Sequence, residues 1–465
     1  MNQDSFHHLT RRRFLGEMNC AAIGSTSVLS ALLNLQLSGR LAAQTGGEDE
    51  DYRAIVCLFL SGGNDSFNML APFSGDARAD YEASRGEIAL PADDYTLLPD
   101  SLPDGRQLGL HKRMPEVSDL YTQGKAAFLC NVGSLIEPTN LDAIKFGTAQ
   151  LPLGLYSHSD QTAHWQSSTP EQRNARTGWG GRLADLIESV NGGSDISMNV
   201  SVAGRNLYQV GNSSSAFTIR PGGLPALSQW DQAAYLPRRN ALQSLLDQNY
   251  QSALERTFSG SKQEAIEIGE QFRSAYSQGT PITTTFDSSN GYAIQLQEVA
   301  RTIAARDVLS KKRQTFFVLR RGWDHHGSLN DHPALLGQLS QAIGQFQNAM
   351  AELGVEDKVT LFTASDFGRT LSPNAGGSDH AWGGNQIIVG GGVQKGIYGD
   401  YPDLALGNQL DTGRGRLIPT TSVDEYYAEL ALWLGVNPTD MGYVLPNLHR
   451  FHDISGGEAP LGFMS

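Results

Sequence analysis

Ala54-Ile55-Val56-Cys57-Leu58-Phe59-Leu60 is an unbroken apolar run, and it gives way at once to Ser61-Gly62-Gly63-Asn64-Asp65-Ser66. A strand with one face in water alternates polar and apolar residues. A run without alternation belongs to a strand covered on both faces, as in a parallel sheet between helices. Comparable runs recur at residues 126–132, 315–319, 359–364 and 386–389. Helical patterns lie between them. Residues 333–353 carry Leu335, Leu336, Leu339, Ile343, Phe346 and Met350 at helical spacing, with Pro333 suited to a first turn. Residues 294–309 read the same way. Ser422-Val423-Asp424-Glu425 has the form of a capping box, opening a helix to Leu434 that Gly435 stops. The alternation predicts an α/β fold: a large, mostly parallel central sheet flanked by helices on both faces. The polar stretch 204–292, rich in Gln, Ser and Gly, reads as an insertion or cap that shapes a site.

The front of the chain is of another kind. Thr10-Arg11-Arg12-Arg13-Phe14-Leu15 fits the S/T-R-R-x-F-L pattern of a twin-arginine signal. A mildly apolar stretch, 21–35, follows and ends at Leu41-Ala42-Ala43-Gln44, a small-residue run that a signal peptidase could cut. The stretch is too short and too polar for a secure membrane span. Residues 1–44 are therefore expected to be a signal peptide that engages the twin-arginine translocase. Residues 52–465 are expected to be one periplasmic or extracellular α/β domain.

Net charge is −14 for the 465 residues, and about −16 once a leader carrying +2 is removed. Such an acidic surface argues against nucleic acid as a partner, because phosphate contacts need clustered Lys and Arg. Cys20 falls in the signal. Cys57 and Cys130 fall inside apolar runs and read as small buried hydrophobes. A disulfide between neighbouring strands is the alternative.

The chemistry gathers where the strands end. After the first run comes Asp65. After residues 315–319 comes Gly322-Trp323-Asp324-His325-His326, and after 359–364 comes Asp366-Phe367-Gly368-Arg369. Gly376-Gly377-Ser378-Asp379-His380 follows soon after. In open α/β sheets ligands bind beyond the carboxyl ends of strands. Several carboxylates brought to one edge repel each other unless a cation sits between them. Asp mixed with His suits zinc, manganese or iron, and carboxylate with water suits magnesium or calcium. Asp65, Asp324, His326, Asp366, Asp379 and His380 are the candidate ligands, with His111 and His158 as further edge ligands or acid/base groups.

These segments, together with Gly109-Leu110-His111, Ser157-His158 and Thr177-Gly178-Trp179, resemble the exported family known as domain of unknown function 1501, from about residue 52 to 455. That resemblance implies the alkaline-phosphatase-like superfamily, which includes sulfatases, with a three-layer sandwich and a metal site at the carboxyl edge. Thr363-Ala364-Ser365-Asp366-Phe367-Gly368 is similar to the superfamily's T-A-D-H-G signature. It implies Asp65 as the first-strand ligand, Asp324 and His326 as a ligand pair, Asp366 as the next Asp and His380 as the last His, with Asp379 as ligand or supporting partner. Phe367 stands where the superfamily has an imidazole, which puts a full two-metal site in doubt. Ser157 falls near the nucleophile position, and Arg369 would steady charge on nonbridging oxygens. The implied activity is metal-dependent hydrolysis of phosphate or sulfate esters, small or polysaccharide, using a divalent zinc, manganese, calcium or magnesium ion. The alternative is a non-catalytic relative that binds a ligand or an envelope partner.

Overall fold

The first apolar run forms β1 (Arg53–Ser61), at the middle of the sheet. The computed structural model describes residues 52–192, 196–220 and 233–465. The twin-arginine segment and its cleavage run lie outside the described residues. Further strands are β2 (Leu70–Pro72), β3 (Tyr95–Ser101), β4 (Gln107–His111), β5 (Ala126–Gly133), β6 (Asn199–Ser201) and β7 (Phe217–Thr218). They continue with β8 (Arg313–Arg321), β9 (Val359–Ser365), β10 (Arg369–Asn374), β11 (Gly377–His380), β12 (Gly384–Val389), β13 (Gly396–Tyr398) and β14 (Thr421–Ser422).

Among the described residues the main sheet has the order β13-β5-β12-β9-β1-β8-β6-β7, with β14 pairing to the end of β5. Every neighbouring pair is parallel except those made by β12. The antiparallel β10–β11 hairpin explains the exception. It leaves the chain at the edge where β9 ended, so the next strand runs back the other way. Strands β2, β4 and β3 form a separate antiparallel sheet.

Strand register sorts the two faces. Val56 pairs with Phe316 and Leu361, and all three belong to a core that includes Leu296, Val299, Leu336, Leu339 and Ile343. Helices Gly291–Ala304 and His332–Glu352 therefore cover that face. One residue on, Cys57 pairs with Phe317 and Phe362. The Phe362 ring meets Trp179, Tyr426 and Tyr427, so helices Trp179–Ile187 and Val423–Leu434 cover the opposite face. A one-residue step exchanges faces because side chains alternate along a strand. Burial of each large apolar side chain contributes ~1.5–3 kcal/mol, which is why a double-sided sheet dominates the fold. The capping box at Ser422 and Glu425 is made in full, and Gly435 ends its helix at φ 108°.

Cys57 and Cys130 are free and buried. β9 and β12 separate their strands, so about 14 Å of sheet lies between them, far beyond disulfide reach. The disulfide alternative is thereby removed. In the polar stretch, helix Ala253–Gln278 lays Phe272 on Phe217 of edge strand β7, with ring centroids 4.8 Å apart. It also reaches helix Gly291–Ala304 through a hydrogen bond from Tyr276 to Glu298. Its described packing is thus against the β7 edge.

Candidate metal centre

β1, β8 and β9 end together: Ser61 pairs with Arg321, and Leu60 with Ser365. The turns leaving them pack so closely that glycine is required. At Gly62 (φ +123°) a Cβ would lie 2.5 Å from the Asp324 nitrogen, and at Gly377 a Cβ would lie 2.3 Å from the His325 carbonyl. That second approach docks the β10–β11 hairpin. Ser378 N donates to His325 O at 2.9 Å, and Leu329 N to Gly376 O at 2.8 Å. The hairpin thereby carries Asp379 and His380 to the loop that holds Asp324 and His326. Helix His158–Ser167 supplies His158 from its first position.

Four side chains converge. His158, Asp324, His326 and His380 each present one ligand atom, and these atoms all lie within 4.8 Å of one another. The Asp324 carboxylate sits among the three imidazole Nε2 atoms, at 3.4 Å from His158, 3.1 Å from His326 and 3.6 Å from His380. The other nitrogen of each ring is already engaged. His158 Nδ1 lies 2.6 Å from Asp366 Oδ2, His326 Nδ1 lies 3.1 Å from Asp379 Oδ1, and His380 Nδ1 lies 2.7 Å from the Tyr156 carbonyl.

Those partners settle what the inner nitrogens can do. A carbonyl or carboxylate accepts only, so each Nδ1 carries the hydrogen and each neutral Nε2 is left with a lone pair. His326 Nε2 and His380 Nε2 are 2.7 Å apart. Two lone pairs at that distance repel unless a proton or a cation stands between them. Three imidazoles backed by hydrogen-bond acceptors, with one carboxylate, form a donor set that fits a transition metal ion. Burial, opposed by the Tyr156 carbonyl, lowers the pKa of His380 and keeps it neutral. The hydrogen bond that His158 donates to Asp366 raises that of His158. Burial would raise Asp324, but Arg369 and the neighbouring histidines outweigh it and hold the carboxyl low.

Not every candidate from the sequence joins this group. Asp65 is drawn away into a fully buried ion pair with Arg85 at 2.6 Å and accepts from Ser378 Oγ at 2.7 Å. Asp366 and Asp379 stand behind His158 and His326 and orient them. Arg369 is wholly buried. Its donors go to Asp324 Oδ1 (2.5 Å), Gly63 O (2.9 Å), Ser378 O (2.8 Å) and Gly62 O, so it ties the turns together and is not free to clamp a substrate. This corrects its expected role. Ser157 caps helix His158–Ser167, accepting from Asp160 N at 3.5 Å and lying 3.1 Å from Ser159 Oγ. His111 is buried in β4, where its Nδ1 accepts from Arg113 N, and burial lowers its pKa to about 4; it is no part of the cluster. The Phe367 ring packs against His158 and His380, with centroids 4.8 and 4.4 Å away.

Tyr156, Arg414 and Arg416 were not visible as site residues. Tyr156 holds φ 72°, an uncommon angle for a bulky side chain, and so aims its carbonyl at His380. Arg414 ion-pairs with Asp379, and Arg416 donates from Nε to the His380 carbonyl at 3.1 Å. The run Gly413-Arg414-Gly415-Arg416 was the available signal.

Several solved structures resemble the chain distantly. The C-terminal periplasmic domain of EcEptC from Escherichia coli, in complex with Zn, is 9% identical, with 87% of this chain and 88% of that chain covered and a TM-score of 0.35. PsFucS1 sulfatase from Pseudoalteromonas sp. is 12% identical, with 88% and 76% covered and a TM-score of 0.32. The lipoteichoic acid synthase LtaP from Listeria monocytogenes is 7% identical, with 83% and 73% covered and a TM-score of 0.33. Likeness at this level does not carry chemistry from one protein to another. No curated protein matches the sequence. The family model described as "Protein of unknown function (DUF1501)" matches residues 52–443, the stretch that builds both the sheet and the histidine centre, and the chain belongs to that family.

Proposed function

We propose that this chain is an exported metal-dependent hydrolase of phosphate or sulfate esters. Asp324, His158, His326 and His380 would hold the ion. The observation that carries this reading is the convergence of three Nε2 atoms on one carboxylate while every Nδ1 is already occupied. A nitrogen-rich donor set favours zinc or another transition ion over calcium or magnesium, which prefer oxygen. Such an ion supplies Lewis acidity, which lowers the pKa of a nucleophile and steadies charge on an ester oxygen.

The chain's own residues do the rest. Asp366, Asp379 and the Tyr156 carbonyl fix the ring orientations and tautomers. With Arg369 spent on backbone carbonyls and Arg414 on Asp379, Arg416, half-buried and bonded to the His380 carbonyl through Nε, would be the guanidinium that holds nonbridging oxygens. The Ser157 hydroxyl, whose cap bond is long at 3.5 Å, is the candidate nucleophile. Export rests on the Arg11-Arg12 pattern, and no described helix is long and apolar enough to cross a membrane.

The test is elemental analysis of the purified full chain, with turnover of p-nitrophenyl phosphate and p-nitrophenyl sulfate. About one transition ion per chain is expected, with turnover lost in His326→Ala. A protein with neither metal nor turnover overturns the proposal. Phe367 favours a second reading, a non-catalytic relative, because it fills the place of an imidazole between His158 and His380. Bound metal without turnover of either ester would select it.

A further inference from the structure

A large cleft opens on the same sheet edge, one strand over from the metal centre. It lies over the ends of β6 and β8 beside β7, and encloses about 1160 Å³. Arg205, Arg220, Arg320 and Arg321 line it, all four exposed, and among the described residues no Asp or Glu lines it. In a chain with a net charge of −14, four unopposed arginines in one cleft are a marked local reversal of sign. Among the described residues none of the four makes an ion pair.

The cleft is built. Gln295 fixes the end of β8 by donating to Leu319 O at 3.0 Å and accepting from Leu319 N at 3.2 Å. Arg320 and Arg321 follow directly on that strand. Val202, Val210, Phe217 and Leu319 add apolar surface between the arginines. Arg321 stands three residues before Asp324, so their Cα atoms are at most ~11 Å apart.

We infer that this cleft binds an acidic polysaccharide carrying several sulfate or phosphate groups, and so presents one of its esters to the metal centre. The inference deepens the proposed hydrolase and rests on that reading for its last step alone. Planar guanidinium forks hold sulfate and phosphate oxygens in pairs, and apolar patches between them suit the C–H faces of sugar rings. The volume exceeds what a single small ester fills, since drug-sized pockets are about 300–1,000 Å³. The net charge of −14 opposes a flat anionic partner such as a bilayer, which would meet more of the molecule than the cleft.

The experiment measures binding of fluorescent dextran sulfate, dextran phosphate and neutral dextran to the full chain in EDTA, which separates the cleft from metal and turnover. Dextran sulfate or dextran phosphate should bind, more weakly as salt rises, and neutral dextran should not. The tighter of the two charged probes names the ester. Arg320→Gln/Arg321→Gln should weaken binding at least tenfold, while Lys112→Gln/Arg113→Gln, equal in charge and outside the cleft, should not. Equal binding by the two double variants, no binding by the unmodified chain, or tighter binding to phosphatidylglycerol vesicles would each overturn the inference. Failure of the hydrolase reading would show instead as absent metal and turnover with dextran sulfate still bound.

Discussion

His326 Nε2 and His380 Nε2 face each other at 2.7 Å, and each ring spends its only hydrogen on an acceptor behind it. The pair is stable only with something positive between the two nitrogens. Zinc added to the metal-free protein should therefore raise its Tm markedly, since a ligand at 1,000 times its Kd adds about 4 kcal/mol. His326→Ala/His380→Ala should lose that shift. A zinc-induced shift of equal size in the double variant would place the ion elsewhere.

Asp366 joins two of the structures that make the centre. Its Oδ2 accepts from His158 Nδ1 at 2.6 Å and from Gly62 N at 3.1 Å. Asp366→Asn keeps the shape but weakens the hold on the imidazole. Metal affinity should fall ~10–100-fold, the usual cost of losing a partner behind a ligating histidine. Competition with a chromophoric chelator reads this directly, and an unchanged affinity would show that His158 needs no such support.

Asp65 and Arg85 are both fully buried and 2.6 Å apart. Burial alone would raise the Asp65 carboxyl. Arg85, His332 and the bonds from Arg85 and Ser378 outweigh it and hold the group below the usual carboxylate range. A depressed carboxyl stabilises the fold above its unfolded pKa, near 4, and that stability is lost as pH falls through the lower folded value. Arg85→Met strands a buried carboxylate and should cost about 3–5 kcal/mol at neutral pH. Urea titrations at pH 7 and pH 3 should show the cost shrinking in acid as Asp65 takes up a proton.

The sequence made β1, β5, β8 and β9 legible because double-sided burial leaves apolar runs that no loop imitates. β6 and β7 were not legible: at three and two residues they are shorter than any window that could reveal a period. In the site, Asp324, His326 and His380 could be read because each follows a recognisable strand or glycine turn. His158 carried only a weak signal, a lone histidine after a serine, since its partner Asp366 is 208 positions away. Asp65 and Arg369 carried a strong signal that misled about role. A charged residue at a strand end looks the same in sequence whether it meets a ligand or a buried partner. Only the fold shows that Arg85 closes over Asp65 and that four backbone carbonyls absorb Arg369.

Asp424 is a carboxyl whose surroundings favour its neutral form. It lies in the first turn of helix Val423–Leu434, fully buried, and neither oxygen has a hydrogen-bond partner. Arg182 is the neighbouring cation, but its donors go to the carbonyls of Val444, Thr177 and Ser167. Burial therefore prevails over the nearby Ser168 hydroxyl, which makes no well-formed hydrogen bond to it, and over the Arg182 charge, and pushes Asp424 up to about 8. Below pH ~4 the folded and unfolded chains both hold this proton, and the group has no effect on stability. From there to pH 8 the unfolded chain releases it while the folded chain keeps it, so stability falls as pH rises; above 8 the loss levels off. Asp424→Asn cannot ionise and should escape that loss. Its Tm should match the unmodified protein at pH 4 and exceed it increasingly at pH 6 and pH 8. Parallel Tm profiles would mean that Asp424 is ionised in the fold and that Arg182, despite its carbonyl bonds, compensates the charge.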